Sequence, residues 1–242
     1  MADVLFEEPR LAAVYDPLDP HRDDLVVYAA IAEEFGARTV LDVGCGTGTF
    51  ACLLAGRGVD VIGVDPAGAS LDVARAKPGA ERVRWLRCDA AGLPPLQVEL
   101  ATMTGNVAQV FLTDAQWDAA LRSARAALRP GGRLVFETRD PAARALREWN
   151  RAGSLSRAVV PGVGAVESWS EVTDIRGDLV SFRSIFVFEA DGATMASEST
   201  LRFRQRDEVA DSLRAAGFVG DDLRDAPDRP GRELVFVARR PG

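Results

Sequence analysis

The sequence predicts an α/β fold: a doubly wound, mostly parallel seven-stranded sheet with helices on both faces and an inserted antiparallel β cap. Three observations carry this. Strand-length apolar runs alternate with helix-period segments from about residue 24 to 140. Residues 165–204 change to period-two alternation with short turns. Sheet elements then resume after residue 205, so residues 1–140 and 205–242 are expected to form one unit and 141–204 an insertion that caps it.

The elements follow in order. Leu25–Phe35 has helical apolar spacing and stops at Gly36, a suitable C-terminal cap. Thr39–Val43 is an apolar strand fit for a central parallel position. Thr49–Arg57 reads as a helix, Val59–Val64 as the second strand and Ala67–Ala76 as a helix ended by Pro78. Val83–Cys88 and Leu100–Thr104 are the third and fourth strands. Asp114 is expected to cap a helix running to Leu128; Arg129-Pro130-Gly131-Gly132 reads as a turn and Arg133–Thr138 as the fifth strand.

Beyond Asp140 a short helix over Ala142–Asn150 and a loop over Gly153–Gly164 are expected. The cap strands are Ala165–Ile175, Leu179–Glu189 and Thr194–Arg204, separated by turn residues at 174–178 and 190–193. A helix capped by Asp207 and strands near Phe218–Leu223 and Glu233–Arg239 close the chain. The first few residues and Asp225–Gly231 are expected to lack order.

Composition narrows the function classes. The 242 residues are 47% hydrophobic and 27% charged, as in ordinary globular proteins. A formal charge of −7, with no cluster among the 29 basic residues, argues against a nucleic-acid partner and for a small substrate. Lys77 is the sole lysine. No apolar run reaches membrane-spanning length, and the acidic start MADVLFEEPR does not read as a secretory signal, so a cytoplasmic location is expected. Cys45, Cys52 and Cys88 form no CxxC pair and have no histidine cluster beside them, so no metal site is expected.

The chemistry concentrates in Val40-Leu41-Asp42-Val43-Gly44-Cys45-Gly46-Thr47-Gly48, a strand running through three alternate glycines into a helix. This arrangement lets backbone approach a nucleotide-like ligand. Its phasing is not that of the dinucleotide fingerprint, whose third glycine would fall at Thr49. Asp42 is placed to accept from a ligand amine or to orient the loop. Asp65 ends the second strand about 20 residues after Gly44, where a carboxylate receives ribose hydroxyls; the alternative is a cap on the next helix, with Pro66 at its first position. Asp89 ends the third strand, positioned for an adenine amino group with the Ala90 N–H offered to a ring nitrogen, or as an ordinary turn aspartate. Thr104-Gly105-Asn106 lies at the carboxyl edge of the fourth strand, where open α/β sheets bind ligands.

Together, VLDVGCGTG (Val40–Gly48), GVDPA (Gly63–Ala67), RCDAAGLP (Arg87–Pro94) and LRPGGRLVFET (Leu128–Thr138) resemble the class I S-adenosylmethionine-dependent methyltransferases, in that family's order and spacing. Leu234–Arg239 resembles the family's final antiparallel strand. The resemblance implies S-adenosylmethionine as cofactor. Gly44, Gly46 and Gly48 would approach its methionine part, Asp65 with Pro66 its ribose, and Asp89 with Ala90 its adenine. Thr104 through Asn106 would lie near the amino-acid moiety and the transferable methyl. Tyr15, in a Tyr-Asp-Pro segment, resembles an aromatic that folds over the site in related enzymes, or else packs the N-terminal arm. The position of the cap resembles that in small-molecule N-methyltransferases, including amino-sugar enzymes.

The expected reaction is methyl transfer to a nitrogen or oxygen of a small-molecule acceptor. His21, the only histidine, and Glu137, at the end of the fifth strand, are the candidates for proton handling, with Asp140 comparable to Glu137. Trp149, Trp169, Phe182, Phe186 and Phe203 line an acceptor pocket or form the cap's own core. The other readings are a nicotinamide-dependent oxidoreductase and a non-catalytic S-adenosylmethionine-binding regulatory protein. The glycine phasing and the Arg129–Gly132 turn with its terminal strand disfavour the former. A monomer or homodimer is expected, the cap forming a lid, an interface or both.

Overall fold

The computed structural model describes residues 3–143, 145–227 and 229–242. The chain opens with helices α1 (Val4–Glu7), α2 (Pro9–Leu18) and α3 (Asp24–Glu34). The alternating progression is β1 (Thr39–Val43), α4 (Thr49–Gly56), β2 (Asp60–Asp65), α5 (Gly68–Arg75), β3 (Val83–Arg87), β4 (Val98–Met103), α6 (Asp114–Ala127) and β5 (Leu128–Arg139). Next come α7 (Arg151–Ser154) and the strands β6 (Ser156–Val160), β7 (Gly164–Arg176), β8 (Leu179–Phe188) and β9 (Thr194–Arg202). Helix α8 (Arg206–Ala215), β10 (Val219–Asp225) and β11 (Glu233–Arg239) complete it.

Seven strands form one sheet in the order β10-β11-β5-β4-β1-β2-β3. β1 pairs in parallel with both β2 and β4, whereas β11 runs antiparallel to β5 and β10. Pleating sends Val40, Leu100 and Val135 to one face, with Leu25, Tyr28 and Phe50 of α3 and α4. Leu41, Ala101 and Leu134 go to the other, with Trp117 of α6 and Leu213 of α8. Strand order reverses between β1 and β4, and such a switch point opens a crevice at the carboxyl ends of the strands. The site grows there.

The cap is a separate four-stranded antiparallel sheet, β6-β7-β8-β9. Val160, Val166, Phe186 and Phe188 bury its inner face against Leu11 and Val14 of α2. One expected loop is therefore partly strand: β6 lies within 153–164 and pairs with β7, Val160 pointing inward while Val159 is 79% exposed. Its brevity among Ser, Gly and Pro hid the alternation.

Other boundaries differ for physical reasons. The Ala142–Asn150 helix is replaced by 3-10 turns at Pro141–Ala143 and Ala145–Glu148, followed by α7. Arg129–Gly132 is a bulge inside β5, with Gly131 N–H on Arg240 O and Arg240 N–H on Gly132 O closing it into the sheet. Thr113, not Asp114, caps α6, because its extended backbone lets it exchange bonds with Gln116. Gln205, not Asp207, caps α8, donating its N–H to Glu208 at 2.7 Å. Val4–Glu7 is helical instead of lacking order, and the Gly231 N–H donates to the Asp225 carboxylate; Met1, Ala2 and Asp228 lie outside the described residues. Among the described residues, no helix is long and apolar enough to cross a membrane.

Candidate active site

The glycine loop leaves β1 at Val43, and its three glycines have φ of +71°, +53° and +78° at Gly44, Gly46 and Gly48. Gly44 and Cys45 donate their N–H groups to Val64 O at 2.8 and 3.0 Å, tying the loop to β2. A Cβ at Gly44 would lie 2.5 Å from Val107, and one at Gly48 2.5 Å from Trp85. Gly46 has no atom within 4 Å of such a position. Two of the glycines are thus closed in by protein, while the middle one faces open space.

Three carboxylates lie at or near the carboxyl ends of β1, β2 and β3. Asp65 is 8% exposed; Oδ2 accepts the Gly46 N–H and Oδ1 the Ala67 N–H, both at 2.8 Å. It caps the turn into α5 and also fastens the glycine loop, and burial pushes its carboxyl up. Asp89 is exposed, and its Oδ1 accepts from Ala91 and Gly92 in an Asx turn. Ala90 beside it is buried, and Pro66 is exposed. Asp42 is fully enclosed: Oδ1 accepts the Thr102 hydroxyl at 3.1 Å, whereas buried Oδ2 has no partner. Burial pushes its carboxyl up to about 7, and the Thr102 hydrogen bond opposes the rise.

Across the switch point, β4 exits through Thr104, Gly105 and Asn106. Asn106 has φ of +62°, the one positive value at a non-glycine among the described residues. Its backbone N–H donates to Glu137 Oε1 at 2.6 Å, and its side-chain Nδ2 donates to Glu233 Oε1 at 3.2 Å. Glu137 is 2% exposed, and burial pushes its carboxyl up to about 7, while Asn106 and the Tyr28 hydroxyl hold it back from rising further. Glu233 also accepts Arg229 at 2.9 Å and lies 3.9 Å from Arg139 Nε. Gln109 Oε1 in turn accepts the Arg139 N–H and guanidinium.

Helix α2 lies over the loop. Asp16 Oδ1 accepts the hydroxyls of Thr47 at 2.7 Å and Thr49 at 3.2 Å, and Oδ2 meets Lys77 Nζ at 2.6 Å. Tyr15, one residue before, packs its ring 5.6 Å from Phe6, and burial pushes its phenol up. The same arm reaches the cap, through Leu5 N–H to Ser197 and Ser156 to Leu18 O.

The structure brings together Asp42, Gly44, Gly46, Gly48, Asp65, Thr104, Asn106 and Glu137 around one sheet edge. His21 stands exposed on the segment joining α2 and α3. Asp140 serves a turn, accepting the Ala142 N–H at 2.8 Å. Trp149 contacts Phe182 and Phe203, with the Arg139 guanidinium 5.2 Å over its ring. Phe186 belongs to the cap core, and Trp169 carries Arg151 on its face and donates to Glu171. Tyr28, Arg139 and Glu233 escaped the sequence reading because helix and strand periodicity account for them fully; only the pairing of β11 with β5 sets Glu233 opposite Arg139. Among the described residues, no group of His, Cys, Asp or Glu is arranged to hold a metal ion.

An open glycine, an unpartnered buried carboxylate oxygen and acidic strand ends fit a ligand that brings cationic and hydroxyl donors. The comparisons agree. A methyltransferase domain family matches residues 40–132. The cypemycin N-terminal methyltransferase of a Streptomyces species is 31% identical over 229 residues, 89% of each chain. The CcbJ methyltransferase from Streptomyces caelestis superposes with a TM-score of 0.77 at 26% identity, over 96% of both chains. The sugar N-methyltransferase KedS8 from a Streptoalloteichus species shares the fold, with a TM-score of 0.77 at 23% identity, over 95% of this chain and 93% of its own. With motifs, switch-point crevice and a relative matched over 89% of both chains in accord, this chain belongs to the class I S-adenosylmethionine-dependent methyltransferases.

Proposed function

We propose that this methyltransferase acts on a small acceptor through an amine nitrogen. The observation that carries the reading is Glu137, a buried carboxyl at the end of β5 held at about 7. An amine acceptor arrives largely as an ammonium and must lose a proton before its lone pair can attack. A terminal α-amine titrates near ~8, within reach of such a carboxylate, whereas an alcohol is far too weak an acid for it. The name of the 31%-identical relative, an N-terminal methyltransferase, supports the same choice.

S-adenosylmethionine supplies a methyl group on a positively charged sulfur. In this reading the backbone at Gly44, Gly46 and Gly48 holds its methionine part. Asp65, beside Pro66, takes the ribose hydroxyls on the lone pairs left by Gly46 and Ala67; Asp89 and Ala90 take the adenine. Asp42 and Thr104 through Asn106 border the amino-acid end, and Tyr15 closes over it from α2. Glu137 takes the acceptor's proton at its carboxylate. His21, exposed on its loop, is the lesser candidate for that role.

The test is release of S-adenosylhomocysteine in the presence of two amines, a short peptide with a free N-terminus and an amino sugar, beside their hydroxyl counterparts. Turnover of an amine, lost in Glu137→Gln with cofactor binding kept, is the expected outcome. Turnover of the hydroxyl compounds alone would overturn the choice of nitrogen. Cofactor binding without any turnover would favour the regulatory alternative, while family membership sets aside the nicotinamide-dependent one.

A further inference from the structure

Asn106 has a conformation that its backbone alone does not justify. A residue with φ of +62° is best served by glycine, and Gly105 beside it, at +71°, is one. Asparagine tolerates this region but gains nothing from it over glycine. What the position gains is the side-chain amide.

The orientation of that amide follows from its surroundings. Glu233 accepts at Oε1 from Asn106 Nδ2 at 3.2 Å and from Arg229 at 2.9 Å, with Arg139 at 3.9 Å. That oxygen already accepts from a guanidinium, so the amide turns its NH2 end toward Glu233. The carbonyl oxygen is thereby fixed at the other end. Oδ1 is buried and has no hydrogen-bond partner, in a residue 4% exposed. A buried acceptor without a donor is an unmet requirement, and a ligand N–H meets it. The neighbouring Glu137, which takes the Asn106 backbone N–H, also only accepts when ionised.

We infer that Asn106 is a specificity-determining residue whose Oδ1 accepts an N–H of the acceptor amine, with Glu233 as the positioning residue that keeps this oxygen turned inward. This rests on the amine reading above. A neutral primary or secondary amine has both a lone pair to aim at the methyl group and an N–H to give Asn106. A tertiary amine has no N–H, so the site selects against it, and methylation stops before a quaternary product.

The experiment uses the free-amine peptide and the amino sugar, each with its N-monomethyl and N,N-dimethyl forms. Wild-type protein is expected to turn over the primary and monomethyl forms, and the dimethyl forms at least about 100-fold more slowly. Asn106→Gly keeps the backbone conformation and its N–H to Glu137 while deleting the oxygen. It should raise KM for the amines about tenfold or more and narrow the gap to the dimethyl forms. Asn106→Asp sets a second carboxylate against Glu233, and the exchange Asn106→Asp with Glu233→Gln restores one donor and one inward oxygen. The exchange should recover the amine KM that either single change loses, an outcome that a merely structural role does not produce. An unaltered KM in Asn106→Gly, or dimethyl forms used as readily as monomethyl ones by wild type, would overturn the inference. If wild type used neither amine, the amine reading itself would fail and take this one with it.

Discussion

Trp85 lies directly against Gly48: a methyl group built on the glycine would meet the indole at 2.5 Å and Ala74 at 2.7 Å. β3 thus supplies the floor of a loop that belongs to β1. Gly48→Ala would combine this clash with a left-handed backbone, each of which costs on the order of 1–3 kcal/mol. It should unfold the loop or the protein, visible as a large fall in Tm without ligand. Gly46→Ala meets nothing within 4 Å, so stability should fall only by about 1 kcal/mol. Its cofactor affinity should nevertheless drop more than about tenfold, because the methyl group occupies space that the ligand backbone contact needs. Calorimetric titration of both variants with S-adenosylhomocysteine, beside thermal melts, separates the two roles. Equal behaviour of the two glycines would contradict the assignment.

The contrast shows what the sequence could and could not reveal. The glycine loop, with Asp42 before it and Asp65 at the end of β2, was legible as a local pattern because a strand end followed by a special backbone residue marks a turn. Trp85 under Gly48 was not, since a tryptophan in a strand reads simply as an apolar strand residue. Glu233 and Arg139 become neighbours only when the last strand inserts antiparallel beside β5, a pairing separated by nearly a hundred residues. The role of α2 depends on side chains of Asp16, Thr47, Thr49 and Lys77 meeting in space, and no local rule joins those positions.

Asp16 on α2 joins three groups at the loop, and its bonds to Thr47 and Lys77 are short and partly buried. Asp16→Ala would free the helix from the loop and leave Lys77 unpaired by any carboxylate there. The expected result is a stability loss of about 1–2 kcal/mol and faster release of S-adenosylhomocysteine, by about tenfold. Stopped-flow dissociation measures the rate. If Asp16→Ala slowed release or left it unchanged, α2 would not act as a cover over the cofactor.

Asp65 holds two backbone N–H groups from opposite sides, Gly46 of the loop and Ala67 before α5. Removing the carboxylate therefore does two things at once. Asp65→Ala should weaken cofactor binding more than about tenfold and lower stability of the ligand-free protein by about 2 kcal/mol. Asp65→Glu keeps the charge but moves it outward, so it should lose the turn into α5 while keeping part of the affinity. Unchanged affinity in Asp65→Ala would show that ribose recognition lies elsewhere.

With Glu137 as the proposed base, stability and activity are expected to respond to pH in opposite directions. Its carboxyl is raised by burial to about 7 in the folded protein, above the ~4.3 of an unfolded glutamate. The folded state then binds more protons than the unfolded one between these values. Its contribution to stability is complete below the unfolded value and is lost as pH rises through about 7, up to about 4 kcal/mol for one such group. Asp42, also at about 7, acts in the same sense. Tm of the ligand-free protein should therefore decline from pH 5 to pH 8, and Glu137→Gln should remove part of the slope while leaving the part due to Asp42. With Glu137 as the proposed acceptor of the amine proton, turnover needs its ionised carboxylate, so kcat should climb through the range in which Tm falls. Melts and kcat profiles on the same samples check both limbs. A wild-type Tm that rose with pH would reverse the sign argued for the buried carboxyls, and a flat kcat profile would remove Glu137 from proton transfer.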